Sequence, residues 1–164
     1  MSTPMRVLLV VIWLWMVLIF CFSAQNADDS SSTSGHLLKD LLSLFTPGWD
    51  SMTAAQQKAW LDACHTLFRK CGHFTEYTVL GTLLTLFFRW GHTEKQEKPY
   101  LRLWMPAVLA FCYAATDEFH QRFVPGRSCE FRDVMIDLSG AMLGLAAVSA
   151  VIVIRRKKQA ALSF

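Results

Sequence analysis

The sequence has few of the features that mark a soluble enzyme or a nucleic-acid-binding protein. Its five cysteines form no CxxC pair, and no HExxH motif occurs, so there is no dedicated metal or redox motif and no cofactor is predicted. Charged residues make up 18% of the chain, against about 25% in ordinary globular domains. The net charge of +3 gives no reason to expect a nucleic-acid partner. With no internal repeat, the 164 residues predict one domain, residues 1–164.

Apolar residues are abundant, at 53% of the chain, and they are concentrated in four blocks. The blocks cover residues 5–24, 71–88, 101–119 and 134–154. Each block comes close to the roughly 20 residues that a membrane-spanning helix needs. The sequence therefore predicts an all-α membrane protein, a four-transmembrane-helix bundle in contact with the lipid bilayer.

The first block also has to be weighed against a cleaved signal peptide. Signal peptides have an apolar region of about 7–15 residues before a small-x-small cleavage site. Here the apolar run is longer, and Phe22 and Gln25 occupy the first small position before Ala24 and Ala27. A retained helix is therefore favoured.

Residues 25–69 form an insert between the first two blocks. Residues 26–35 are polar and without periodicity, which predicts a flexible loop. Residues 36–45 place leucines on one broad face before Pro47-Gly48, which is typical of a short amphipathic helix at a membrane surface. Thr53 and Gln56 have the spacing of a capping box and predict the start of a second short helix, with Trp60 and Leu61 on its apolar stripe.

Lysine and arginine placement predicts the orientation of the bundle. The tail Arg155-Arg-Lys-Lys158 supplies four positive charges, and the segment from Arg89 to Arg102 supplies four more. The longer insert has only three. This bias favours four spans in the cytoplasmic (cell) membrane with both termini cytoplasmic and the insert extracytoplasmic. Arg122, Arg127 and Arg132 then lie on the outer side, and we interpret them as functional or paired.

In an up-and-down bundle of this kind, four helix ends meet on one side, and nearly all the unusual polar residues lie there. At about 100° per residue, Lys70, His73 and Tyr77 share one helix face, with Glu76 at its flank. Tyr113, Asp117, His120 and Gln121 are close together on the third helix, and Asp133, Asp137, Gly140 and Gly144 share a face of the fourth. These stripes are predicted to point inward. The segment Val124-Pro-Gly-Arg-Ser128 predicts a turn with Gly126 in a left-handed position and Arg127 at its tip.

These motifs resemble the VanZ family, small membrane proteins associated with teicoplanin resistance. The resemblance is carried by Phe22-Ser-x-Gln25, Lys70-x-x-His73-x-x-Glu76-Tyr77, Asp117-Glu-x-His-Gln121, Pro125-Gly-Arg127 and Asp133-x-x-x-Asp137-x-x-Gly140. It touches all four predicted spans, whereas the insert carries none of the motifs. It implies a role in the cell envelope and lowered sensitivity to lipid-anchored glycopeptides.

A first functional hypothesis is an enzyme acting on a lipid-linked or cell-wall-related substrate at the outer membrane interface. The candidate catalytic residues are His73, Glu76, Asp117 and His120, because imidazole and carboxylate groups exchange protons near neutral pH. Arginine and lysine bind phosphate or carboxylate groups. The candidate substrate-binding residues are Gln25, Lys70, Tyr77, Gln121, Arg127, Asp133 and Asp137. Ser23 is a candidate nucleophile without an elbow motif.

Three other interpretations remain open. The same residues are also suited to a non-catalytic binder of a lipid headgroup, a lipoglycopeptide or a cell-wall precursor. They are equally suited to a structural ion-pair network, because basic and acidic groups nearly balance and buried charge must be paired. A metal site is weaker, since no dedicated ligand spacing occurs. A transporter is disfavoured because the charges cluster at one end.

Overall fold

The computed structural model describes the backbone of residues 2–25, 27–90, 99–125, 127 and 129–162. Within these ranges the chain is entirely helical, which confirms the predicted all-α class. The elements are α1 (Thr3–Ser23), α2 (Ala27–Phe45), a 3-10 turn (Trp49–Ser51), α3 (Ala54–Trp90), α4 (Pro99–Gln121) and α5 (Phe131–Leu162). The charged loop predicted at residues 91–98 lies outside the described residues.

Two described helices are long and apolar enough to cross a membrane. They are α1, with a mean hydropathy of 2.6, and α5, with a mean hydropathy of 2.0. The spans predicted at residues 71–88 and 101–119 lie on α3 and α4, which do not meet that criterion within the described part of the chain. In α3 the reason is visible, because Lys70, His73 and Glu76 interrupt its apolar residues.

Helix α1 packs against α3 and α4 along one side and exposes apolar side chains on the other. Trp13 is 66% exposed and Val7 58% exposed, an apolar surface that suits lipid better than water. On its packed side, the Trp15 indole Nε1–H donates a 3.0 Å hydrogen bond to the Glu76 carbonyl. The Tyr113 hydroxyl donates a 2.5 Å hydrogen bond to the Met16 carbonyl. These two bonds tie α1 to both of its neighbours.

Helices α3 and α5 form the most extensive contact in the molecule, and glycines make it possible. A β-carbon on Gly144 would lie 2.7 Å from the Thr82 backbone nitrogen, and one on Gly81 would lie 2.7 Å from the Ala141 Cα. Only a residue without a side chain lets the two backbones come this close. Lys70 pairs with Asp133 near one end, and the Arg89 guanidinium donates to Ser149 Oγ at 2.8 Å near the other. The two helices therefore run parallel, as alternate helices of an up-and-down bundle should.

The insert is more helical than its sequence predicts. The loop predicted for residues 26–35 is wrong from Ala27 onward, because α2 runs from Ala27 to Phe45. Two acidic residues follow Ala27 in its first turn, where negative charge is favourable. Asn26 itself lies outside the described residues. Pro47-Gly48 does end the helical run, and Gly48 takes a positive φ of 77°.

The capping box is confirmed, but the helix that it starts is much longer than expected. Gln56 N–H donates to Thr53 Oγ1 at 3.3 Å, and Thr53 N–H donates to Gln56 Oε1 at 2.9 Å. The predicted short helix and the second predicted span then form the single 37-residue helix α3. Between Ala54 and Lys70 the sequence has no proline or glycine that would interrupt it.

Candidate functional site

One end of the bundle contains a cluster of buried polar side chains contributed by four helices. Each is at most 5% exposed, and together they occupy the region where the sequence places the four converging helix ends. The members are Ser23 of α1, Tyr77 of α3, Asp117, Glu118 and Gln121 of α4, and Asp137 of α5. Buried polar groups are costly unless they are hydrogen-bonded or bind a partner. We call these residues, with His73 and Glu76, the polar cluster.

Helix α3 supplies His73, Glu76 and Tyr77. The His73 Nδ1 and Glu76 Oε2 atoms are 3.6 Å apart, and the two side chains are 15% and 19% exposed. That separation is longer than a hydrogen bond. Tyr77 is fully buried, with its ring 6.1 Å from that of Tyr113. The three residues therefore lie on the packed side of α3, as the helical spacing predicts.

Helix α4 places two carboxylates in the cluster. The Gln121 amide donates a 3.4 Å hydrogen bond to Asp117 Oδ2. Glu118 accepts a 3.1 Å hydrogen bond from the backbone N–H of Glu130, which fixes the segment before α5. Glu118 therefore has a structural partner, while Asp117 faces the cluster.

Helix α5 contributes Asp133 and Asp137, one turn apart. Asp133 accepts from the Lys70 ammonium at the edge of the cluster, where both side chains are about one-fifth exposed. Asp137 is deeper and only 2% exposed. Small residues follow on the same face at Gly140 and Gly144, so α5 can press this carboxylate close to α3.

Arg127 covers the cluster from the segment that connects α4 and α5. Its guanidinium donates from Nε to the Gln25 carbonyl at 2.9 Å and from Nη1 to Gln121 Oε1 at 3.4 Å. Its Nη2 donates to the Phe22 carbonyl at 3.4 Å. Partial burial lowers the pKa of Arg127 and Arg69 lowers it further, whereas the Asp117 carboxylate opposes the shift. Arginine keeps its charge through such shifts, so a cation lies at the mouth of the cluster.

The predicted turn that carries Arg127 is present in the described residues. Arg127 N–H donates a 3.1 Å hydrogen bond to the Val124 carbonyl, which closes a four-residue turn. The left-handed conformation predicted for Gly126 and the end of the turn at Ser128 lie outside the described residues.

Several polar atoms of the cluster are buried without a hydrogen-bond partner in the part of the chain that the structure describes. They are Ser23 Oγ, His73 Nδ1, Glu76 Oε2, Tyr77 Oη and Asp117 Oδ1. Buried side-chain polar atoms in folded proteins are nearly always hydrogen-bonded, so five in one cluster call for an explanation. A purely structural ion-pair network would leave few such atoms, because its stability depends on full pairing.

The predicted ion pairs are only partly formed among the described residues. Lys70 pairs with Asp133, but Arg132 pairs with Glu130 at 3.1 Å on the exposed surface and not with the cluster. Arg122 is exposed. The acidic and basic residues of this region are nearly equal in number, but among the described residues they do not form a network of ion pairs.

His120 lies at the edge of the cluster. Its ring packs against Phe20 of α1 with centroids 4.5 Å apart. It faces an open groove of about 550 Å³ between α1 and the segment after α4, lined by Cys21, Ala24, Gln25, His120, Phe123, Val124 and Pro125. The structure thus separates His120 from His73, which belongs to the inner part of the cluster.

A second, much smaller cleft reaches the cluster from the α3–α5 side. Its volume is about 10 Å³, enough for roughly one water molecule. It is lined by Arg69, Lys70, His73, Glu118, Gln121, Asp133, Ile136 and Asp137. Gln121 lines this cleft and also bonds to Arg127, which contacts Gln25 in the open groove. Arg127 is therefore bonded to one lining residue of each opening.

Most of the residues singled out from the sequence come together in this region, but three were omitted from the predicted site or given another role. In the sequence, Glu118 is marked only by the motif Asp117-Glu-x-His-Gln121, and Arg69 is only one of the three basic residues of the insert. Ser23 was considered only as a nucleophile, yet its side chain is fully buried beside Asp117. Helical spacing places Glu118 about 100° around α4 from Asp117 and about 60° from Gln121, and its carboxylate accepts from the Glu130 N–H of the segment before α5.

Ligand atoms of His73, Asp117 and Asp137 lie within 4.8 Å of one another, an arrangement that could hold a metal ion. The three residues come from three helices, and for that reason no local sequence motif indicates them.

A family model described as VanZ/LLP1 matches residues 8–154, which is most of the chain. Neither the curated proteins nor the solved structures include a match. The matched range contains every member of the polar cluster together with Arg127.

Proposed function

The chain belongs to the VanZ/LLP1 family and is a VanZ-like membrane protein of the cell envelope, and we propose that its polar cluster acts on a lipid-linked or cell-wall-related substrate. The site is at the outer face of the cytoplasmic membrane. Through it the protein lowers sensitivity to teicoplanin.

The observation that carries this proposal is the set of unpaired buried atoms below a cation. His73, Glu76, Tyr77 and Asp117 each hold a polar atom without a partner among the described residues. Arg127 lies at the entrance with its charge intact. A protein that buries polar groups without pairing them with its own side chains is primed to exchange protons or hydrogen bonds with a ligand.

Each residue then has a role that its position supports. Arg127 and Lys70 bind an anionic group such as a phosphate or carboxylate, since both lie near the surface of the cluster. His73, Glu76 and Asp117 transfer protons, because imidazole and carboxylate side chains are adjacent there. The residues that orient the substrate are Gln25, Tyr77, Gln121, Asp133 and Asp137, and His120 contacts the part of the substrate in the open groove.

The proposal includes a four-span topology with both termini in the cytoplasm. Its support is the parallel course of α3 and α5, the exposed apolar surface of α1, and the basic tail at the end of α5. With this orientation the polar cluster faces outward, where cell-wall precursors and glycopeptides are encountered.

A non-catalytic binder is the second candidate, and the sizes of the two openings favour it. The inner cleft of about 10 Å³ admits little more than a water molecule, whereas the outer groove of about 550 Å³ accepts a larger group. In a binder of this kind the substrate stays in the outer groove. The other members of the polar cluster hold Gln121 in place, and with it Arg127 and Gln25.

The deciding experiment compares His73→Ala and Asp117→Asn with His36→Ala and Asp62→Asn, which change exposed residues of the insert. Each variant is expressed in a teicoplanin-sensitive host, and susceptibility is measured at matched membrane abundance. We expect the cluster variants to lose protection and the insert variants to keep it. If all four variants protect like the wild type, the cluster is not the functional site.

Purified protein with radiolabelled lipid-linked precursor then separates the two candidates. Chemical conversion that His73→Ala abolishes supports the enzyme. Retention of unchanged precursor, weakened in Arg127→Ala, supports the binder.

A further inference from the structure

We infer that His73, Asp117 and Asp137 form a binding site for a single divalent transition-metal ion such as Zn²⁺. The inference rests on the proposed function and deepens it: with the ion bound, His73 and Asp117 are ligands, and Glu76 is the adjacent group left to transfer protons. Metal content and drug protection are separate measurements, so either idea can fail without the other.

The first argument is the convergence of the ligand atoms. One atom from each of the three residues lies within 4.8 Å of the other two. Ligands on a tetrahedral Zn²⁺ with bonds of about 2.0–2.1 Å lie about 3.4 Å apart. The ligand atoms therefore have to approach one another by up to about 1.4 Å to bind the ion.

The second argument is that buried ligand atoms of Asp117 and His73 have no hydrogen-bond partner among the described residues. Asp117 is 2% exposed and its Oδ1 has no hydrogen-bond partner in the described residues. His73 Nδ1 is buried and similarly unpartnered there. Buried carboxylates normally pair with a cation or coordinate a metal, so an Asp117 carboxylate with an unpartnered oxygen, close to an imidazole and a second carboxylate, is suited to bind a metal ion.

The third argument is that Lys70 and Arg127, two of the cationic side chains near the cluster, are already engaged elsewhere, while Arg69 also lines the inner cleft. Lys70 pairs with Asp133, and Arg127 donates to Gln25, Phe22 and Gln121. Within the described ranges neither one reaches Asp117 or Asp137 directly. Two buried carboxylates of like charge repel each other at this distance, and a divalent ion between them removes that repulsion.

The identity of the ligands indicates the type of ion. One imidazole with two carboxylates suits Zn²⁺ or Mn²⁺ better than Mg²⁺ or Ca²⁺, which prefer oxygen-only sites. Three protein ligands leave at least one coordination position open, as in catalytic zinc sites. His73 and Asp137 line the inner cleft, so the open position faces the cleft and a water-sized ligand fits there. Gln121, bonded to Asp117 Oδ2, orients one ligand from the outer shell.

The test measures the metal content of the full-length protein in detergent after incubation with Zn²⁺ and exhaustive dialysis. We expect close to one Zn²⁺ per chain for the wild type and for the control variants His36→Ala and Asp62→Asn. His73→Ala, Asp117→Asn and Asp137→Asn should bind at least about tenfold more weakly. Circular dichroism checks that each variant remains helical.

A ligand-conserving variant keeps the test decisive where an alanine variant fails to fold. In His73→Cys loaded with Co²⁺, a thiolate-to-cobalt charge-transfer band should appear in the near ultraviolet, and it should be absent from the wild type. Wild-type protein that holds no more Zn²⁺ than Asp137→Asn, or a His73→Cys spectrum without the new band, overturns the inference.

Discussion

At the scale of single residues, two tyrosines of the bundle differ in the hydrogen bonds that their hydroxyl groups make. Tyr77 and Tyr113 are both tyrosines of the bundle, with rings 6.1 Å apart. The Tyr113 hydroxyl donates to the Met16 carbonyl, whereas the Tyr77 hydroxyl has no partner in the described residues. Removal of the two hydroxyls should therefore have opposite effects on stability.

We predict that Tyr77→Phe leaves the free energy of unfolding unchanged or raises it by up to about 1–3 kcal/mol, since an unsatisfied buried hydroxyl is removed. Tyr113→Phe should lower it by about 1 kcal/mol, because a satisfied hydrogen bond is lost. Thermal unfolding in detergent compares the two variants. A Tyr77→Phe protein that is less stable than Tyr113→Phe contradicts the assignment.

Arg127 offers a second test at this scale, because its three hydrogen bonds depend on the shape of the guanidinium. Lysine keeps the charge but presents one ammonium in place of a planar fork. We predict that Arg127→Lys loses teicoplanin protection almost as fully as Arg127→Ala. The matched control is Arg132→Lys, which changes an exposed residue paired with Glu130. Full protection by Arg127→Lys would mean that charge alone suffices.

The residue-level predictions from sequence succeeded where spacing along one helix was enough. The inward positions of Tyr77, Asp117 and Asp137 follow from helical periodicity, because side chains three or four positions apart share a face. Periodicity could not place Glu118, whose partner is a backbone N–H of Glu130 beyond the end of the same helix. It also could not assign His120 to the α1 groove, since that depends on where Phe20 lies.

At the scale of elements, the α3–α5 contact holds together two of the helices that carry the polar cluster. Gly81, Gly140 and Gly144 all lie against the backbone of the opposite helix. Gly72 also lies on α3, but a β-carbon there meets no atom within 4 Å. The chain therefore carries both packed and unpacked helical glycines near the site.

We predict that Gly144→Ala separates α3 and α5 and lowers the free energy of unfolding by about 1–3 kcal/mol through overpacking. Gly72→Ala should instead be neutral or stabilising by up to about 1 kcal/mol, because alanine favours helix. The midpoints of thermal unfolding report both effects. Equal midpoints for the two variants would show that the close contact is not needed.

Helix boundaries were predicted well where a local sequence motif marks them and poorly where no such motif occurs. The capping box and Pro47-Gly48 are local, and both act where expected. The division of residues 54–90 into a surface helix and a span rested on a change in polarity, which does not interrupt a helix. The polar run after Ala27 was interpreted as a loop because it lacks periodicity, although acidic and serine-rich segments also start helices.

At the scale of the whole molecule, the proposed topology puts the polar cluster and the basic tail on opposite sides of the membrane. Arg155 and Arg156 line a groove of about 500 Å³ between α3 and α5 at the end remote from the cluster. The total length and the four apolar blocks predicted the bundle, whereas the described helices establish only two membrane-capable spans. Polar residues of the cluster, such as His73 and Glu76, lower the hydropathy of α3, so the signal of a membrane span is weaker there.

Cysteine labelling tests this topology in intact cells. Cys129 is exposed next to the start of α5, and in a variant with the other four cysteines changed to serine a membrane-impermeant maleimide should label it. With Cys129 also replaced, Ala161→Cys in the exposed tail should be labelled only after permeabilisation. The reverse pattern would place the cluster in the cytoplasm.

Helix α3 connects the insert to the polar cluster without a break in the helix. Its 37 residues extend about 55 Å, whereas the apolar core of a bilayer is about 30 Å thick. The part of α3 that packs against α2 is therefore continuous with the part that carries His73, Glu76 and Tyr77. A continuous helix resists twisting, so a rotation of the part that packs against α2 is transmitted along α3 to the polar cluster. Any molecule that turns the insert by a few degrees turns the imidazole and both neighbouring side chains through the same angle.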